Sequence, residues 1–204
     1  MKKVTKYAII AQEKCNGCKT CYAICPVLAI RMENKKATII GDRCLGCSNC
    51  EQRCPEYAIT IVPLEKPFWV GLDVNKFDQL KIMELCTKAK FHPDQVICFC
   101  TGSRAGEIAA AIIDGAKTPE DISLKTGVRT GCKVLCIEPV LRLLQAAGIE
   151  PRKPDGYQWT GITATLWELS EEVKNKYGSR GFYFDADREF LEGNLAYESK
   201  KGGK

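Results

Sequence analysis

Short alternations of apolar and polar residues fill the first third of the chain, and longer helical periods fill the middle. Lys3 to Ala11, ending in the run Tyr7-Ala8-Ile9-Ile10-Ala11, predicts a strand. Ala29-Ile30-Arg31-Met32 alternates, a polar Glu33-Asn34-Lys35-Lys36 turn follows, and Ala37-Thr38-Ile39-Ile40 returns, the period and turn chemistry of a hairpin. Ala58-Ile59-Thr60-Ile61-Val62 predicts a strand able to pair with the first. Pro63-Leu64-Glu65-Lys66-Pro67 reads as a stiff break, and Phe68-Trp69-Val70 follows it. A helix is expected from about Val74 to Lys90, with Asp73 as N-cap and Phe77, Leu80, Met83 and Cys86 near one face. Cys86 on that face reads as a buried core thiol.

Further on, Gly106-Glu107 opens an Ala/Ile-rich helix that ends at Asp114-Gly115. Thr118-Pro119-Glu120-Asp121 is an N-cap followed by proline at the first helical position, and Gly127 marks that helix's end. Ile137 to Ala147 predicts a third helix, closed by Gly148. Pro151-Arg152-Lys153-Pro154-Asp155-Gly156 is a second break. After it come Tyr157, Trp159, Trp167, Tyr177, Phe182, Tyr183, Phe184 and Phe190. There Ile162–Thr165 predicts a strand, Trp167–Tyr177 a helix ended by Gly178, and Phe182–Phe184 a strand or extended docking segment. Lys200 to Lys204 reads as a disordered end.

Between these elements the cysteines change the picture. C-N-G-C-K-T-C-Y-A-I-C-P from Cys15 and C-L-G-C-S-N-C-E-Q-R-C-P from Cys44 are one figure written twice, at a constant offset of 29 residues. Such a repeat implies two half-units related by a pseudo-twofold. Three thiolates spaced by two residues and a fourth followed by proline form the bacterial pattern for cubane clusters. Three close thiolates grip one cube from a single loop, and the fourth, leaving on a short helix, is aimed at the other. The expected ligand sets are Cys15, Cys18, Cys21 and Cys54 for one [4Fe-4S] cluster, and Cys44, Cys47, Cys50 and Cys25 for the second. Zinc or disulfides are the competing readings, since C-x2-C pairs also serve zinc. Gly17 and Gly46 are expected to turn the backbone and point N–H groups at cluster sulfur. Residues 3–63 resemble the two-cluster bacterial ferredoxins. That likeness implies an apolar shell of Ile9, Ile24, Ile30, Ile40, Ile59 and Ile61 around the cubes.

A second constellation, Cys98-Phe99-Cys100 and then Cys132-Lys133-Val134-Leu135-Cys136, has the spacing C-x-C, 31 residues, C-x3-C. A C-x-C pair is too cramped for two corners of a cube but suits one iron of a flat two-iron rhomb. Zinc again competes, because both pairs are short. C-F-C-T-G, the G-E-I-A-A-A-I-I-D-G-A helix and T-G-C-K-V-L-C resemble the bacterioferritin-associated-ferredoxin type of [2Fe-2S] domain over residues 95–149. The likeness implies a cluster near the surface, on loops packed against a small helical unit, held by Cys98, Cys100, Cys132 and Cys136. Three residues rather than the commoner two separate the last cysteines. Arg104, Arg129 and Lys133 flank the ligands, either tuning the site or steering an acidic partner, or as ordinary solvated charges. His92, the only histidine, cannot complete a Rieske site and reads as structural or surface.

Composition narrows the function. The chain has 204 residues, 13 cysteines and a formal charge of +5. Three clusters at roughly −2 each would cancel that charge, so the basic count does not argue for nucleic acid. The apolar run at the N-terminus is too short for an export signal, and no stretch has the length to span a bilayer. A cytoplasmic, anaerobic or microaerobic setting is expected. Dinucleotide and phosphate loops are absent, as is any nucleophile–base constellation.

The expected protein is α+β. Residues 1–63 form a ferredoxin-like two-cluster domain of β-hairpin and short helices, and 64–94 a linker and helix. Residues 95–149 form a small helical [2Fe-2S] domain, and 150–204 an aromatic-rich C-terminal docking extension. It is read as an electron carrier without its own substrate site, with two [4Fe-4S] clusters and one [2Fe-2S] cluster. It would serve as the small relay subunit of an oxidoreductase, beside a larger flavin- or metal-dependent subunit or a soluble ferredoxin. The other reading is a metal- or cluster-delivery protein engaged in iron mobilisation.

Overall fold

The strand period of Lys3–Ala11 becomes β1 (Lys2–Ile10), and β4 (Ile59–Val70) returns antiparallel beside it, pairing Ile9 with Thr60 and Lys2 with Val70. The computed structural model describes residues 1–154, 156, 159 and 161–201, the last six of these by backbone alone. Between the two strands lie α1 (Thr20–Ile24), the hairpin β2 (Ile30–Glu33) and β3 (Lys36–Ile39), and α2 (Asn49–Gln52). Asn34 and Lys35 both take positive φ, 47° and 61°, as a tight two-residue hairpin turn demands. The apolar faces of both sheets meet over Val4, Ala8, Ile30, Ala37 and Ile59, and four cysteines belong to that same core: Cys21, Cys25, Cys44 and Cys50.

The 29-residue repeat is written into the backbone. Gly17 and Gly46, Lys19 and Ser48, and Leu28 and Tyr57 are left-handed in pairs at that offset. Holding non-glycine residues there costs of order 1 kcal/mol each, so the loops persist only because surrounding contacts over-determine them.

Pro63–Pro67 is not a break: β4 runs through both prolines. The sheet has only two strands, so each keeps a free edge where a missing N–H is harmless. A bulge between Val4 and Lys6, opposite Pro63, absorbs the mismatch.

The expected helix from Val74 to Lys90 is split. Asp73 caps only a 3-10 turn over Val74–Lys76, Phe77 is extended, and α3 (Gln79–Lys88) starts from Asp78, whose carboxylate accepts the N–H groups of Leu80 and Lys81. This re-phases the buried face. Leu80 is 82% exposed, while Ile82 and Cys86 enter the core. Burial pushes the Cys86 thiol up to about 12, so it stays protonated.

After the small ribbon of β5 (Val96–Cys98) and β6 (Ser103–Arg104) come α4 (Ala105–Ile113), α5 (Pro119–Thr126) and α6 (Ile137–Ala146). α4 is apolar nearly all round and accordingly sits at the centre, with Ala105, Ile108, Ala109, Ala110 and Ala111 fully buried. Thr118 and Asp121 form the expected capping box, and Gly127 ends α5 at φ 78°.

The C-terminal extension differs from its reading. Ile162–Thr165 is irregular, α7 spans Glu171–Gly178, and the aromatic stretch opens a helix, α8 (Phe184–Lys201). Asp185 and Asp187 in its first turn favour that helix start. Arg142 of α6 ties the extension down through Glu168 and the Thr163 carbonyl, while Phe182, Tyr183 and Phe190 remain exposed. Asp155, Tyr157 and Gly202–Lys204 lie outside the described residues, as do the side chains of Lys200 and Lys201. The fold is α+β, as expected.

Candidate metal centres

Each expected foursome in the first half lines one cavity. Cys15, Cys18, Cys21 and Cys54 surround one small cavity closed by Ile10 and Ile59. Cys25, Cys44, Cys47 and Cys50 surround a second small cavity closed by Ile30 and Ile61. The crossing has a simple cause. α1 carries Cys21 near its start and delivers Cys25 at its end, a helical displacement of about 6 Å that takes Cys25 out of its own loop. α2 carries Cys50 and ends at its cap, Arg53, one residue before Cys54.

The loops are built for sulfur. Ala29 N–H donates to Cys25 Sγ at 3.2 Å, and its repeat, Ala58 N–H, donates to Cys54 Sγ at 3.3 Å. Ala37 N–H reaches Cys15 Sγ at 3.5 Å. A Cβ on Gly17 would fall 2.1 Å from the Lys35 carbonyl oxygen, and one on Gly46 2.1 Å from that of Lys6. These glycines are thus required by close backbone approach as well as by positive φ. Of the expected isoleucine shell, Ile24, Ile30 and Ile59 are buried and Ile40 and Ile61 half-buried, but Ile9 is 43% exposed on the outer face of β1.

The donor set suits a cationic guest. Burial raises Cys21 to about 11 and Cys50 to about 12, and raises Cys25 as well. A cavity lined by such thiols is poor in compensating charge until a metal supplies it and displaces their protons. One zinc ion would draw its sulfurs to within about 3.8 Å of each other. Among the described residues no group of three or more His, Cys, Asp or Glu closes on a single ion position. The thiols instead line each cavity in fours, the donor set of a multi-iron group.

The third constellation gathers at one end of the helical unit. Cys98 ends β5 and Cys136 caps α6, both buried, while Cys100 and Cys132 are exposed. Cys136 donates a hydrogen bond to Cys98, which, with support from the Thr101 hydroxyl and from the N–H groups of Arg129 and Thr101, lowers Cys98 to about 5; the shared hydrogen holds Cys136 up. Cys132 N–H donates to Cys100 Sγ at 3.5 Å. A Cβ on Gly131 would fall 2.4 Å from that of Cys100, so the loops approach only over glycine. Lys133, at φ 66°, takes up the additional residue between Cys132 and Cys136.

Two features escaped the sequence reading. Arg129 is no steering charge: it is 1% exposed and pairs with Glu120 of α5 at 3.0 Å, bracing the Thr130-Gly131-Cys132 loop from below. No sequence period marks such a pair. The other is a seam between the halves, where Lys2 Nζ donates to Thr130 Oγ1 at 2.6 Å, Asn49 Nδ2 to the Gly131 carbonyl at 3.3 Å, and Lys133 Nζ to the Ile24 carbonyl. Arg104 pairs with Asp94 at the surface, and His92 accepts the Asp94 N–H through Nδ1.

Comparison with known families bears on both halves. Residues 7–55 match the model of a 4Fe-4S dicluster domain, and residues 96–146 that of a BFD-like [2Fe-2S] binding domain. Comparison with curated proteins returned no match. Among the described residues no helix is long and apolar enough to cross a membrane. The chain thus fuses a 4Fe-4S dicluster domain to a BFD-like [2Fe-2S] binding domain, a pairing that supports an iron–sulfur electron-transfer role.

Proposed function

We propose that this chain is a three-centre electron relay, a small subunit of an anaerobic cytoplasmic oxidoreductase that exchanges single electrons with a flavin- or metal-containing partner subunit. Cys15, Cys18, Cys21 and Cys54 hold one [4Fe-4S] cluster, Cys25, Cys44, Cys47 and Cys50 a second, and Cys98, Cys100, Cys132 and Cys136 a [2Fe-2S] cluster. Each group, when bound, takes up and gives back one electron. The residues supply the rest: thiolates fix the positions, backbone N–H groups at Ala29, Ala58 and Cys132 stabilise charge on sulfur, and the isoleucines exclude water. The observation that carries this reading is the sorting of twelve thiols into three separate foursomes, two around cavities and one across facing loops. Delivery of metal to another protein would need a spare exposed thiol pair, and the thirteenth cysteine, Cys86, is fully buried. The exposed aromatics Phe182, Tyr183 and Phe190 suit anchoring on the partner subunit.

Iron and acid-labile sulfide analysis of anaerobically purified protein tests the assignment. About ten irons per chain are expected from two four-iron groups and one two-iron group. About eight irons with one zinc would remove the two-iron assignment.

A further inference from the structure

The three cysteine sites are not equivalent in exposure. In the outer foursome Cys18 is exposed and Cys15 and Cys54 are half-buried, and in the two-iron set Cys100 and Cys132 are exposed. The remaining set is the most enclosed: Cys25, Cys44 and Cys50 are 7%, 8% and 9% exposed. It is also the set that the seam touches. Asn49, beside Cys50, donates to the carbonyl of Gly131, beside Cys132. Lys133, also beside Cys132, donates to the carbonyl of Ile24, beside Cys25. Nothing comparable links Cys15, Cys18, Cys21 or Cys54 to the helical unit among the described residues. Two cations occupy the junction. The amine of Lys2, pushed down by burial, lies in the field of Cys47, Cys98 and Cys44, thiols of both sites. That of Lys133 sits on the Ile24 carbonyl, next to Cys25 and one residue along the chain from Cys132.

We propose that the Cys25/Cys44/Cys47/Cys50 site is the middle station, joined to the two-iron thiols through the Asn49–Gly131 and Lys133–Ile24 hydrogen bonds, and that the Cys15/Cys18/Cys21/Cys54 site is the outer end. This rests on the relay reading above and adds an order to it. One electron crosses the seam at a time: the station on one side is oxidised by one electron and that on the other reduced by one, with no bond broken and no proton moved. The partner's flavin or a one-electron protein carrier exchanges electrons at the exposed ends. Lys2 and Lys133 are positioning residues, placing positive charge between two anionic groups that would otherwise repel.

Power saturation of the two-iron EPR signal in fully reduced protein reads the order. Relaxation of that signal is fast in the unaltered chain. It stays fast in C18A and becomes slow in C47A, each variant being checked for its own iron loss. Fast relaxation in C47A with slow relaxation in C18A overturns the order. A second experiment keeps all twelve ligands. In K133M, redox titration followed by EPR shows the potentials of the two-iron signal and of one four-iron signal falling together, because a cation that favours the added electron is gone. K133R restores both. A fall confined to the two-iron signal, with the ten irons retained, also overturns the proposal. Absence of three reducible signals in the unaltered protein would instead sink the relay reading itself.

Discussion

The two halves solve one problem, holding thiols in place, with different surroundings. In the first half four of the eight cluster-pattern cysteines are part of the core: Cys21, Cys25, Cys44 and Cys50 sit among Val4, Ala8, Ile30 and Ile59, around cavities that the apolar side chains do not fill. In the second, Ile108, Ile122, Val140, Leu143 and Leu144 pack around α4, Cys98 and Cys136 join the edge of that core, and Cys100 and Cys132 lie outside it. One half is therefore built around two cavities lined by its thiols, and the other packs a helical core of its own and gathers its thiols at one end of it. The difference teaches that similar ligand chemistry can make a cofactor structural in one domain and peripheral in the next.

The largest effect that could break this contrast comes from removing iron. Chelation under reducing conditions should unfold residues 2–70 while α3 to α6 persist. Hydrogen exchange by residue checks this: protection should vanish from β1 and β4 and survive in α4. Equal loss in both halves would end the distinction. Next in size, Glu120→Ala should destabilise the helical unit by about 3–5 kcal/mol, because a buried ion pair loses its carboxylate. Denaturant unfolding of the iron-free protein measures it, and replacing both partners by apolar residues should recover most of the loss.

Gly17→Ala or Gly46→Ala should cost about 1–3 kcal/mol for the strained backbone, with the carbonyl clash in addition, and should lower iron content at one four-iron site. Gly148→Ala, also at positive φ but with open space around it, should cost only about 1 kcal/mol and leave iron untouched. Smallest, Thr118→Ala should cost about 1 kcal/mol through the lost capping box, read as a lower denaturation midpoint without change in cluster signals.

Much of this was legible from residue order alone, for identifiable reasons. The hairpin at Ile30–Ile39 and the helices after Ala105 and Thr118 follow from local chemistry: period two, an Asn-Lys turn, a capping box and a closing glycine. The repeat of Gly17 at Gly46 was visible as spacing, and only the structure shows the facing carbonyls that make it necessary. Misreadings arose where tertiary context overrides a local signal. Pro63 and Pro67 announce a break, yet a two-stranded sheet gives them an outer edge to occupy. Asp73 and Asp78 are both credible caps, and the second begins the helix, which turns Leu80 outward. Glu120, Arg129, Lys2 and Asn49 carried no readable signal, since ordinary charged and polar residues become informative only when burial or a facing loop gives them a partner.

The central claim, that twelve thiols hold three one-electron centres, is most directly tested by anaerobic coulometric reduction of the purified chain with EPR at each step. The account predicts uptake of three electrons per chain, with one signal of two-iron type and two of four-iron type. Uptake of two electrons or fewer by fully loaded protein, or a chain that binds zinc at the same cysteines and takes up none, would contradict it.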